Sequence, residues 1–143
     1  MSNLISSILP NPPRDIIYVH PDVSVEQCVE IMKAHQIGTV VVTDDDNLLG
    51  IVSERDVVHG LVRYHAAVLT QTASDMLHAA VAVLKPSDTV ETAMAIMTET
   101  KRRHILVADS GKLIAIVSIG DVLLSLLGNH ARVIEELEHY IHQ

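Results

Sequence analysis

Residues 51–58, Ile51-Val52-Ser53-Glu54-Arg55-Asp56-Val57-Val58, begin as a buried strand and turn directly into a helix. Two apolar residues come first, then Ser-x-x-Asp, then apolar residues again. A serine at a helix N-cap accepts a hydrogen bond from a backbone amide two or three residues on, and an acid in the first turn suits the positive end of the helix. The same stretch returns 65 positions later as Ile116-Val117-Ser118-Ile119-Gly120-Asp121-Val122-Leu123. A chain that writes one polar corner twice is built from a repeat, and the repeat sets how everything else is read.

The 65-residue offset runs without a gap from Pro21 to Val57, pairing Pro21 with Pro86, Val25 with Val90, Met32 with Met97, Val42 with Val107 and Ile51 with Ile116. The periodicity of the first copy predicts a strand over 16–19 and then a helix capped by Ser24 with Gln27 at its third position. Val25, Val29 and Met32 point inward from that helix. A strand over 39–42 follows, then a turn at Asp44-Asp45-Asp46-Asn47, a strand over 48–52 and a helix over 54–64. The second copy predicts the same order over 82–84, 90–100, 104–107, 113–117 and 121–127, with its turn at Asp109-Ser110-Gly111-Lys112. Residues 66–77 read as linker with one short helical turn near Asp75. The last stretch reads as an amphipathic helix with Ile134, Leu137 and Ile141 on one stripe.

These readings divide the chain into a first repeat with its N-terminal segment (1–65), a linker (66–80), a second repeat (81–128) and a tail helix (129–143). A three-stranded sheet with helices on one side leaves its other face open. The expected fold class is therefore α/β: tandem β-α-β-β-α repeats packed face to face with pseudo-twofold symmetry, plus a C-terminal helix.

Composition narrows the function. The 143 residues are 48% hydrophobic, contain no Phe or Trp, and carry a formal net charge of −8. An acidic chain with three tyrosines as its only aromatics offers neither the cationic field nor the stacking platforms of a nucleic-acid binder. The amino terminus lacks a basic region and a long apolar run, and no apolar stretch is long enough for a membrane span. The single cysteine, Cys28, excludes an internal disulfide and fits a cytoplasmic setting; among Val25, Val29 and Met32 it reads as core. Nine histidines are scattered. His139 and His142 lie one helical turn apart without a third ligand near in sequence, so no metal is expected. Neither a GxGxxG nor a Walker loop is present, and no catalytic group stands out.

The β-α-β-β-α order, with GTVVVTDDDNLLGIVSERDVV and RRHILVADSGKLIAIVSIGDVL, resembles the CBS domain, and the chain from about Ile16 to Leu127 resembles a stand-alone CBS pair, or Bateman module. The resemblance implies a regulatory module rather than an enzyme. It implies that such a module binds an adenine nucleotide (AMP, ADP, ATP or an NAD(H)-type compound) in clefts between the repeats and modulates an unidentified partner protein. In the pattern h-x-[ST]-x-x-[DN] the acid takes the ribose hydroxyls, which carries over to Ile116, Ser118 and Asp121 in one copy and to Ser53 and Asp56 in the other. The adenine is expected against His20, Ile37 and Gly38 for the Asp121 site, and against Lys85 and Arg102 for the Asp56 site. Arg103 and His104 match the pair that reaches the phosphates, and Arg55 adds a cation inside the first motif. Gly120 stands where Arg55 stands, so the second corner lacks a cation of its own; even so, the Asp121 site is expected to be the tighter one. CBS pairs usually associate through helices, here the faces around Val57, Val58, Leu61 and Leu123, Leu124, Leu127, which implies a homodimer. The alternative is a structural dimerisation module whose polar corners are helix caps and bind nothing.

Overall fold

The computed structural model describes residues 3–79, 81–127 and 139. The polypeptide forms two units: residues 15–81 make one, and residues 1–14 with 82–143 make the other. The tail stripe Ile134, Leu137 and Ile141 and the second histidine of the terminal pair, His142, lie outside the described residues.

Each unit holds a three-stranded sheet. In the first, β1 (Tyr18–Val19) runs parallel to β2 (Thr39–Asp44), which pairs antiparallel with β3 (Asn47–Ser53). Helix α1 (Val25–His35) crosses between β1 and β2, α2 (Glu54–Tyr64) follows β3, and α3 (Ala73–Met76) follows a 3₁₀ turn at His65–Thr70. The second unit repeats the plan with β4 (Val83–Leu84), α4 (Val90–Thr100), β5 (His104–Asp109), β6 (Lys112–Ser118) and α5, helical over 119–127. The predicted β-α-β-β-α order holds in both copies. Both antiparallel ladders also slip at one place, between Val42 and Thr43 and between Val107 and Ala108.

The helices form where local chemistry asks for them. Ser24 and Gln27 close a capping box on α1: the Gln27 amide donates to Ser24 Oγ at 3.1 Å and the Ser24 amide to Gln27 Oε1 at 3.3 Å. Thr89 caps α4 in the same place. Both helices end on left-handed residues, Gln36 and Lys101, 65 positions apart. Val25, Cys28 and Met32 turn into the core of the first unit, and Val90, Ala93 and Met97 into that of the second, at helical spacing. Cys28, not Val29, is the middle inward residue; Val29 is exposed. Burial raises the Cys28 thiol pKa above its ordinary value, which keeps it protonated and unreactive.

The segment ahead of each repeat packs in the unit that holds the other repeat. The Ile5 and Ser6 amides donate to the carbonyls of Asp88 and Pro86, and the Val90 amide to that of Asn3. In the first unit the Ala73 and Ser74 amides donate to the carbonyls of Val23 and Pro21, and the Val25 amide to that of Gln71. Residues 3–6 and 71–74 thus play one role, 68 positions apart. Residues 1–14 thus group with the second repeat, and residues 66–79 with the first. The reason is apolar burial, since Ile5 and Ala73 are both fully buried, Ile5 in the second unit's core and Ala73 in the first's.

Candidate functional site

Both Ser-x-x-Asp motifs fold into capping boxes at the strand-to-helix corner. At the first, Asp56 Oδ2 accepts from the Ser53 amide and Ser53 Oγ, each at 2.9 Å, while the Asp56 amide donates to Ser53 Oγ at 3.3 Å. At the second, Asp121 Oδ2 accepts from the Ser118 amide at 2.8 Å and Ser118 Oγ at 3.1 Å, and the Asp121 amide donates to Ser118 Oγ at 3.2 Å. Each box satisfies amides that the first helical turn leaves without intrahelical partners.

The surroundings differ. Ser53 and Asp56 are buried, whereas Ser118 and Asp121 are half-buried. Arg14 Nη2 sits 2.7 Å from Asp121 Oδ2, delivered by the N-terminal segment from 107 positions away. Asp121 Oδ2 thus receives three donors, while Oδ1 accepts no hydrogen bond from the described residues. The chain neighbours differ in sign as well. A Cβ at Gly38 would lie 3.0 Å from Glu54 Oε1, so an acid covers the glycine whose carbonyl accepts from the Glu54 amide. The corresponding pair in the second unit is Arg103 and Ile119, with the Ile119 amide donating to the Arg103 carbonyl at 2.8 Å. The first corner therefore carries a carboxylate where the second carries a guanidinium-bearing residue.

A family model for the CBS domain matches residues 5–63 and 73–128. The chain belongs to the CBS-domain family. It is 39% identical to a CBS-domain containing protein from Agrobacterium tumefaciens of known crystal structure, with a TM-score of 0.80 over 86% of this chain and 92% of that one. The fold is also that of CBSX2, crystallised in complex with AMP: 24% identity, TM-score 0.70, covering 88% of this chain and 97% of that one. The mitochondrial CBS domain-containing protein CBSX3 of Arabidopsis thaliana is 29% identical over 125 residues, 84% of this chain; the chain spans 61% of that relative's length.

Within each unit the residues read from sequence fall at definite places on the sheet. His104 lies opposite Ser118 in the ladder, and Ile116 is half-buried on the same strand as Ser118, so Arg103, His104, Ile116, Ser118 and Asp121 share one unit with Arg102 next in chain. Thr39 lies opposite Ser53, which places Ile37 and Gly38 at the Asp56 corner, with Arg55 exposed on the first turn of α2. His20 is elsewhere: it follows β1 and lies 3.5 Å from Asp44, at the far end of β2 from Gly38. Five residues of extended chain separate those ends by roughly 16 Å. Lys85 stands in the equivalent far position, its amide donating to Asp88 Oδ2 at 2.8 Å. Parallel pairing sets these positions: with Tyr18 opposite Val41, residues ahead of the edge strand, such as Ile17, whose carbonyl accepts from the Val41 amide, lie toward the Thr39 end of β2, and residues after it lie toward the Asp44 end.

Arg14 was the residue missed, and it supplies the cation that Gly120 leaves out. No local pattern marks it. The one available signal is the echo of 3–6 in 71–74, which places the N-terminal segment on the second repeat.

Proposed function

We propose that this CBS-domain chain is a regulatory module, not an enzyme, that binds an adenine nucleotide at the Ser118–Asp121 corner and modulates a partner protein. The observation that carries the reading is the Asp121 carboxylate: oriented by Ser118 through Oδ2, without a hydrogen bond to Oδ1 from the described residues, and set beside Arg14 and the backbone of Arg103. An oriented carboxylate accepts from a ribose diol, and the adjoining cations and helix N-terminus favour the phosphate. The AMP complex of CBSX2 supports an adenylate as the ligand class. The buried Asp56 corner, with Glu54 over Gly38, is the poorer anion site.

A thermal-shift screen of AMP, ADP, ATP, NAD+ and NADH tests the reading. A ligand at a hundred times its dissociation constant stabilises the native state by about 2.7 kcal/mol, on the order of 5–10 °C for a chain of this size. Asp121→Ala is expected to weaken binding by roughly ten- to a hundredfold, and Asp56→Ala by less. If the corners are caps alone, every nucleotide leaves the melting temperature unmoved and each substitution only lowers stability.

The second reading, structural self-association, rests on exposed apolar residues: Val58, Leu61 and Val62 on α2, and Leu123, Leu124 and Leu127 on α5, with Val62 76% and Leu124 70% exposed. Val57, grouped with them by sequence, instead packs against the first core. The two readings are compatible, and a homodimer is expected by light scattering at twice the 15.6 kDa chain mass. No helix among the described residues is long and apolar enough to cross a membrane.

A further inference from the structure

We propose that Arg14 is a specificity-determining residue that makes the Asp121 corner discriminate against neutral diols in favour of anionic ones. The inference rests on the nucleotide reading above and adds which ligands the corner accepts. A carboxylate oxygen has two lone pairs, and Asp121 Oδ2 already receives the Ser118 amide, the Ser118 hydroxyl and Arg14 Nη2. A vicinal diol grips a carboxylate with one hydroxyl on each oxygen. Oδ1 is open to the first hydroxyl; the second reaches Oδ2 only when a donor leaves.

The donor able to leave is Arg14. Ser118 is fixed by the strand end and by the capping box, whereas Arg14 has 54% of its side chain exposed and follows Asn11, Pro12 and Pro13, all exposed. The segment is anchored upstream, where Ile5 is buried and hydrogen-bonded to Asp88. A displaced guanidinium therefore stays tethered near the corner. A neutral nucleoside exchanges a charge-assisted bond for a neutral one and gives the guanidinium nothing in return. A ligand bearing a phosphate offers it a new anionic acceptor, which the planar donor fork suits. Arg14 thus opposes every diol equally and repays only the anionic ones.

The test compares adenosine with AMP by calorimetry on wild type, Arg14→Ala and Arg14→Lys. Wild type is expected to prefer AMP. In Arg14→Ala the adenosine affinity should hold or rise while the AMP affinity falls, shrinking the ratio on the order of tenfold. Arg14→Lys, which keeps the charge but not the fork, should fall between. Arg14 is an exposed surface residue, so its replacement should leave the melting temperature nearly unchanged. An unchanged ratio, or a parallel loss of both ligands, overturns the role of Arg14 while leaving Asp121-dependent AMP binding in place. Failure of wild type to bind either compound overturns the nucleotide reading and this inference with it.

Discussion

The two corners share a backbone and differ in what the preceding segment does to them. In the first-repeat unit, residues 71–79 pack along the repeat and continue until His78 bridges Ile51, with hydrogen bonds in both directions. In the second-repeat unit, residues 3–8 pack the same way, but the chain then leaves the sheet through exposed prolines and ends with Arg14 on Asp121. One residue accounts for much of this. A Cβ on Gly50 would meet the His78 carbonyl oxygen at 2.3 Å, so the close approach exists because position 50 is glycine. Its counterpart 65 positions on is Ala115, which forbids the same approach. A duplicated fold thus keeps its capping boxes in both copies and specialises through the segments that run past them.

The largest effect is expected from the buried anchor. Ile5 precedes the first repeat in sequence but lies in the core with Val90, Met97, Ile105 and Val117. Ile5→Ala removes buried methylene groups and should cost about 2–5 kcal/mol. Hydrogen exchange locates the damage. Amides of β5 and β6 should lose protection, while those of β2 and β3 retain it. Loss confined to the first-repeat sheet would break the crossed assignment of the two segments.

Gly50→Ala comes next. The new methyl group drives the 78–79 backbone away from β3 and should destabilise by about 1–3 kcal/mol, with exposure of the Ile51 and His78 amides. The reciprocal change Ala115→Gly introduces no clash and should cost only about 0.5–1 kcal/mol through backbone entropy. Equal losses at the two positions would remove Gly50 as the source of the asymmetry. Between this and the smaller effects stands the ligand contrast already described, Asp121→Ala against Asp56→Ala.

Most of the repeat was legible because it is local. The 3.6 and 2.0 residue periods, the Ser24 cap and the Ser-x-x-Asp corners depend on residues within a few positions of one another, and the second copy corrected noise in the first. The illegible features are all long-range. The swap of 3–8 onto the second unit leaves only a faint echo, Leu4-Ile5-Ser6 against Thr72-Ala73-Ser74, at an offset of 68 rather than 65. Arg14 reaches Asp121 across 107 positions. The positions of His20 and Lys85 follow from strand pairing, which places each after its edge strand rather than before it.

The smallest effect separates the two segments by pH. Thr72 and Asp75 form a further capping box: Asp75 Oδ2 accepts from the Thr72 amide and hydroxyl, each at 3.0 Å. The hydrogen bond from the Thr72 amide, then that from its hydroxyl, holds the Asp75 carboxyl below its ordinary value. In the unfolded chain that carboxyl takes its proton at higher pH than in the native state. Its contribution is therefore complete above the unfolded value and disappears as pH falls through the folded one. The equivalent position in the other segment is Ser7, which donates to the Leu4 carbonyl and does not titrate. Mild acid should therefore loosen residues 71–76 before residues 3–8. The group is almost fully exposed, so solvent screens the effect, and the whole cap is worth about 0.5–1 kcal/mol. Asp75→Asn keeps an acceptor for Thr72 and removes the charge. It should flatten the acid limb of the stability curve while leaving stability near neutral pH within that range. Urea midpoints measured from pH 3 to 7 on both proteins check this, and parallel acid limbs would place the proton uptake at another carboxylate.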